Sequence, residues 1–294
     1  MPTLPALHRR PSGVAYRVSG ASSAPTIVLL HGVGNNGAMW DDLAARLSDY
    51  RCLAPDLPGH GGSRGLPWRS RAESAQLIAE LIEAEATCSR AHVVGLSLGG
   101  SVALELLASR PDILDHVVID GCAALPSPII GPMELGVSAI SPFLQFAPVA
   151  RLIGRMFGVE TGTALEAFVT QMQAADPPSF RRAFADANAT RITPALLAST
   201  RPTLLVAGER ELRHVRASNR LLADMMPSAQ ALMVPGANHG WGPAQHPGLH
   251  ERMVVAWIED EALPEELAAE ETPAPRRLGK LGSRGRPRLR SSST

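Results

Sequence analysis

The 294 residues carry 28 basic and 28 acidic side chains and 45% hydrophobic residues, at a mean hydropathy of +0.02. Such a chain is long enough for one large α/β domain, or for a domain with a sizeable insertion. Its balanced charge excludes a polycationic nucleic-acid binder, and no nucleic-acid partner is expected. Three cysteines (Cys52, Cys88, Cys122) are too few for a disulfide framework and read as thiols of a reducing compartment. The N-terminus lacks the apolar core of a secretory signal. The uncharged stretch 135–150 is broken by Pro142 and Pro148, so no membrane span is expected and a cytoplasmic location is.

In chain order, residues 14–19 read as a leading edge strand, and 26–30 (TIVLL) as a β-branched strand buried on both faces. Met39, Leu43 and Leu47 stand at helical spacing, and 52–54 is the next short strand. Residues 72–86 follow as a helix with Ala75, Ile78, Leu81 and Ile82 on one face. A strand at 91–94, a helix at 101–110 and a strand at 117–119 continue the alternation. It then stops. Residues 123–199 are rich in proline, with helical faces at Leu165, Phe168, Val169 and Met172 and at Phe180, Phe184 and Ala187, the latter started by Pro177-Pro178. Strand and helix alternate again at 203–207, 219–226, 231–234 and 247–258.

This pattern predicts an α/β fold with a doubly wound parallel sheet. The core comprises 1–122 and 200–262, a helical cap or lid occupies 123–199, and 263–294 forms an acidic-to-basic disordered tail. The apolar run of the insertion, from Leu125 to Phe157, reads as a lid whose apolar residues either pack it onto the sheet or line a pocket beneath it.

Between the strand at 91–94 and the helix at 101–110 stand Gly95-Leu96-Ser97-Leu98-Gly99. A serine on a sharp strand-to-helix turn presents its hydroxyl above the helix N-terminus, and flanking glycines let the backbone pass tightly there. Four further segments each follow a strand, where open α/β sheets place their sites. They are Leu29-Leu30-His31-Gly32-Val33-Gly34, Asp56-Leu57-Pro58-Gly59-His60-Gly61, Gly208-Glu209-Arg210-Glu211 and Gly236-Ala237-Asn238-His239-Gly240-Trp241. Serine, carboxylate and histidine occur in that chain order.

On these segments the chain resembles the α/β-hydrolase superfamily, its serine esterase and lipase-like branch with a helical lid, from about residue 14 to 258. The resemblance implies a mostly parallel sheet with the cap inserted after the sixth strand. It implies Ser97 as nucleophile, His239 as general base and acid, and the backbone N–H groups of Val33 and Leu98 as oxyanion hole. For the third member, relatives carry aspartate where Glu211 stands. Glu211 has an extra methylene, so its carboxylate folds back or the loop shifts. Asp120, at the end of the 117–119 strand, is the alternative acid.

The remaining chemistry-bearing residues read as structural. His31 and His60 bond backbone, Asp56 forms a turn, and Trp40 and Trp241 pack the loops. His92, His116, His214, His246 and His250 read as solvated or capping. No metal-ligand spacing and no phosphate loop occur, and no cofactor is implied. A serine at position 97 excludes the aspartate nucleophile of relatives that open epoxides. The expected function is a serine hydrolase cleaving a small to medium hydrophobic carboxylic ester or related acyl compound through an acyl-enzyme. The alternatives are an acyltransferase or carbon–carbon bond hydrolase of the same architecture, and a non-catalytic binding protein of that fold.

Overall fold

The computed structural model describes residues 6–156, 159 and 162–269. The chain begins with strands β1 (Leu7–Arg9), β2 (Ala15–Ser19) and β3 (Thr26–Leu30), then helix α1 (Asp41–Arg46) and β4 (Arg51–Pro55). Next come α2 (Arg71–Glu85), β5 (Ala91–Leu96), α3 (Leu98–Ser109) and β6 (Leu114–Asp120). Five helices follow: α4 (Ile130–Ile140), α5 (Ala147–Met156), α6 (Gly162–Gln173), α7 (Pro177–Asn188) and α8 (Pro194–Leu197). The chain closes with β7 (Thr203–Gly208), α9 (Arg213–Met225), β8 (Ala229–Val234), α10 (Trp241–Ala244), α11 (Pro247–Ile258) and β9 (Ala268–Ala269).

One sheet runs in the order β1-β2-β4-β3-β5-β6-β7-β8-β9. The six strands from β4 to β8 in that order are parallel, and β1, β2 and β9 are antiparallel additions at the two edges. β4 pairs with one side of β3 and β5 with the other, so the winding direction reverses there. The loops leaving β3 and β5 therefore diverge and open a crevice at the carboxyl ends of the strands.

Parallel strands covered on both faces must be apolar throughout, and all five residues of β3 are buried. One face packs on α2 and α3 through residues such as Val28, Ile78, Leu81, Leu106 and Val117. The other packs on α1 and α11 through Leu29, Trp40, Leu43, Leu204 and Val254. A third, smaller core lies among the inserted helices, where Leu144, Ile153, Phe168, Met172 and Phe180 meet and reach Val33 of the β3 loop. Helix starts follow local chemistry. Ser70 Oγ accepts from the Glu73 N–H at 3.1 Å ahead of α2, and Asp176 accepts from the Ser179 N–H at 2.9 Å ahead of α7, which opens on Pro177.

The structure departs from the sequence reading at both ends. β1 is three exposed residues with no apolar periodicity to announce it. The expected tail from 263 onward is corrected over 263–269. Leu263 and Leu267 pack on the core, Arg252 holds Glu266 at 2.6 Å, and β9 pairs with β8. The rest of that segment, 270–294, lies outside the described residues. No helix among the described residues is long and apolar enough to cross a membrane.

Candidate active site

Ser97 stands between β5 and α3 with φ +54° and ψ −107°, a conformation costing a non-glycine residue about 1–3 kcal/mol. Three backbone bonds hold it there. The Ser97 N–H donates to Asp120 O at 2.8 Å, Gly99 N–H to His31 O at 3.0 Å, and Ser101 N–H to Ser97 O at 3.0 Å. A Cβ at Gly99 would stand 2.2 Å from Leu30 O, so only glycine lets α3 start this close to β3. Helix α3 begins at Leu98, three residues earlier than its apolar spacing suggests. Its dipole therefore points at the serine.

The β3 loop sits beside this turn, and a Cβ on Gly32 would lie 3.7 Å from Ser97 Cβ. His31 is fully buried and orients the loop. Its Nε2 accepts from the Leu57 N–H at 2.9 Å, which leaves the hydrogen on Nδ1 to donate to Gly32 O at 2.8 Å. Because a peptide unit is planar, fixing the Gly32 carbonyl aims the Val33 N–H the opposite way. Neither the Val33 nor the Leu98 N–H donates within the described residues. Burial pushes His31 down to about 4, so it stays neutral in this role. Asp56 closes the neighbouring turn, its carboxylate accepting from the N–H groups of Gly37 at 2.7 Å and Gly62 at 2.6 Å.

His239 and Glu211 come from the turns after β8 and β7. These turns are joined by Arg210 N–H to Ala237 O at 3.0 Å, Glu209 N–H to Val234 O at 2.9 Å, and Gly236 N–H to Glu209 Oε2 at 2.8 Å. The Glu211 carboxylate is buried and lies 2.7 Å from His239 Nδ1. The room for its extra methylene is at Gly121 (φ +61°). A Cβ there would be 2.8 Å from Glu211 Oε1 and 3.0 Å from His239 Nδ1. Burial alone would lower the His239 imidazole. The charge and hydrogen bond of Glu211, with Asp120 behind, outweigh it and raise the ring to about 9.

Asp120 does not bond His239. Its Oδ1 accepts from the Trp241 indole at 3.1 Å, and Oδ2 is buried without a partner among the described residues. Burial, then the charge of Glu211, push this carboxyl up to about 7.

Ser97 and His239 open onto one cavity of about 220 Å³. Its core-side wall includes Gly32, Val33, Asn35 and Met39, and its far wall is α6, through Ala164, Ala167, Phe168 and Gln171. This alters the expectation for the insertion. Over its described part, up to residue 155, the apolar run that begins at Leu125 does not line the cavity. Ile129, Leu135, Ile140, Phe143, Phe146 and Leu152 face solvent, Leu135 at 74% exposure, while Leu144 and Ile153 turn into the core of the inserted helices. Trp40 and Trp241 are buried outside the cavity wall.

His250, read as solvated or capping, is buried instead. It is stacked on Trp40 at 5.8 Å and edge-on to Trp241 at 5.2 Å, and neither ring nitrogen has a partner among the described residues. Sequence reasoning also missed Gln171. Its signal is a polar residue one turn beyond Phe168 and beside Met172, on the edge of an apolar helical stripe.

The sequence profile of the alpha/beta hydrolase family matches residues 27–250. A Gibberella zeae protein of the AB hydrolase superfamily is 27% identical over 254 residues, 82% of each chain. A Mycobacterium tuberculosis esterase is 37% identical over 120 residues, 40% of this chain and 39% of its own. Among solved structures, a hydrolase from Pseudomonas aeruginosa superposes with a TM-score of 0.72 at 23% identity, covering 88% of this chain and 99% of that one.

Proposed function

The chain belongs to the alpha/beta hydrolase family, and from that premise we propose that it is a serine hydrolase cleaving a small to medium carboxylic ester or related acyl compound. The observation that carries this reading is that Ser97, on its strained turn, and His239, paired with Glu211, face the same cavity. The partial match to an esterase points the same way.

A serine hydroxyl is a poor nucleophile at neutral pH and needs a base. In the proposed cycle His239 Nε2 takes the Ser97 proton as Oγ attacks the acyl carbon. The oxyanion so formed accepts from the Val33 and Leu98 N–H groups. The Glu211 carboxylate holds Nδ1–H and stabilises the imidazolium. Collapse expels the alcohol, protonated by His239. Water then repeats the steps on the acyl-enzyme, returning Ser97 and the free acid. The inserted helices 123–199 act as the cap, with α6 closing the acyl side. A cavity of about 220 Å³ suits a short or medium acyl chain.

The test is labelling with a fluorophosphonate, together with turnover of p-nitrophenyl esters of graded chain length. Stoichiometric labelling that disappears in Ser97→Ala, with hydrolysis of at least one ester, is the expected result. A protein that takes no label and turns over no ester overturns the reading.

A further inference from the structure

We infer that the cavity selects an uncharged acyl group carrying a hydrogen-bond acceptor remote from the reacting carbonyl, and that Gln171 reads that acceptor. The inference rests on the serine-hydrolase reading and concerns the same cavity.

Two observations support it. The first is charge. None of the described residues lining the cavity is lysine or arginine, and its carboxylate is Asp42, exposed near the rim. At the end remote from the reacting carbonyl, away from His239 and its Glu211 partner, a substrate carboxylate would lose its hydration without gaining a cationic partner, a loss that disfavours it.

The second is Gln171. It comes off α6 into a wall otherwise made of Ala164, Ala167 and Phe168, and is only 8% exposed. Its orientation is set from outside the helix. The Asn36 N–H donates to its Oε1 at 3.3 Å, and a backbone N–H needs an acceptor, so the oxygen faces Asn36. That leaves Nε2, with two donors, and no acceptor for it among the described residues. A merely structural bridge to Asn36 accounts for the oxygen but not for an amide nitrogen left open at the cavity. Glutamate would bridge to Asn36 equally well and leave no donor over. Because Nε2 is open to the cavity, a substrate oxygen can take the place of solvent on its donors, whereas a methylene in that place would strand them, so the oxygen is favoured.

The probes are three p-nitrophenyl esters of similar length: hexanoate, 5-oxohexanoate and the monoester of adipic acid. They share the reacting carbonyl and differ in carrying nothing, a neutral acceptor or a carboxylate at the far end. The wild-type protein is expected to favour 5-oxohexanoate over hexanoate by roughly tenfold in kcat/KM, chiefly through KM. It is expected to reject the adipate by roughly a hundredfold.

Gln171→Met should bring the first ratio to about 1. Gln171→Glu, which keeps an acceptor for Asn36, should do the same and worsen adipate further. Leu135→Ser, on the solvent face of α4, serves as the control and should leave both ratios unchanged. If the esters bind without turning over, the same ratios are read from their protection of Ser97 against fluorophosphonate. A preference for the keto ester that survives in both Gln171 variants overturns the role of Gln171. Adipate processed or bound as well as hexanoate overturns the charge selection. Absence of turnover, protection and labelling together overturns the hydrolase reading instead.

Discussion

The wall of the cavity that carries Ser97 is fixed chiefly by main-chain bonds, whereas the wall facing it is held down chiefly by side chains, with one main-chain bond from Asp176 N–H to Gly59 O at 2.7 Å. On the sheet side, the Ser97 turn is tied to Asp120 and His31, and the two turns bearing Glu211 and His239 are tied to each other. On the helical side, α7 is clamped to Trp68 ahead of α2 and to Arg71 at its start, and Arg64 donates to the Gln173 carbonyl of α6 at 3.1 Å. Asp186 accepts from the Trp68 indole at 3.2 Å and from the Arg71 N–H. Arg71 also reaches Thr190 at 3.0 Å, and Ser179 Oγ accepts from the Trp68 N–H at 3.1 Å. Main-chain geometry does not change with a single side chain, but a side-chain clamp does. The sheet edge is therefore suited to chemistry common to every acyl group, and the helical wall to deciding which acyl group enters. The helical side is itself divided, because the described side chains of α4 and α5 are absent from the cavity wall and several apolar ones turn outward.

The largest effects are expected on the sheet side and should be the same for every ester. Ser97→Ala should lower kcat by about 10⁴-fold or more on all substrates. A loss confined to some acyl groups would break the division of labour. Glu211→Gln should cost roughly 10³- to 10⁴-fold while also shifting the pH profile. In the parent protein kcat/KM should rise with pH toward about 9, because His239 must lose its proton before it can act as base. Removing the carboxylate leaves burial opposed only by the weaker influence of Asp120, so the rise should move to lower pH. A limb that stays in place would take the acid role away from Glu211. Asp120→Asn keeps an acceptor for the Trp241 indole and should change kcat by less than about tenfold in steady-state assays.

On the helical side, Asp186→Ala should destabilise the protein by about 2 kcal/mol in urea unfolding, since it strands the Trp68 indole and the Arg71 N–H. Phe143→Ser and Phe146→Ser, at exposed positions of the unclamped half, should stay within about 0.5 kcal/mol.

Acid sensitivity divides along different lines. His31, His60 and His250 are held neutral by burial, at about 4, 3 and 4. Each gains a proton on unfolding once the pH is below about 6.5, so the unfolded chain binds more protons and stability falls from there toward pH 4. Asp120 acts in the opposite sense over part of that window, because it is raised to about 7 and is protonated in the folded state first. His250→Phe should flatten the decline, measured as melting temperature against pH. An unchanged slope would mean that His250 is charged in the folded protein.

The strand-end loops were legible because each is a short pattern following an apolar strand, and the sheet geometry brings such loops to one edge. The segments bearing Ser97, Glu211, His239 and Val33 could be picked out on that ground, and the resemblance to α/β hydrolases implied which residue in each would act. The inserted helices were less so. Periodicity gives the apolar face of a helix but not its neighbour, and the run from Leu125 to Phe157 contains residues turned to solvent as well as residues turned inward. Gln171 was hidden because its meaning depends on Asn36, 135 positions away. His250 was misread because nothing local tells that two tryptophans from other segments will enclose it.

The two alanines of β9 are a small feature with a large effect on how the molecule meets others of its kind. They cover part of β8, whose outer N–H and C=O groups would otherwise stand in an open row. A chain ending at Leu267 would keep every described residue of the cavity wall and the core packing of Leu263 and Leu267, and yet expose that row, a ready template for a strand of a neighbouring molecule. Such a truncation should preserve activity in dilute solution and lose it to aggregation as concentration rises.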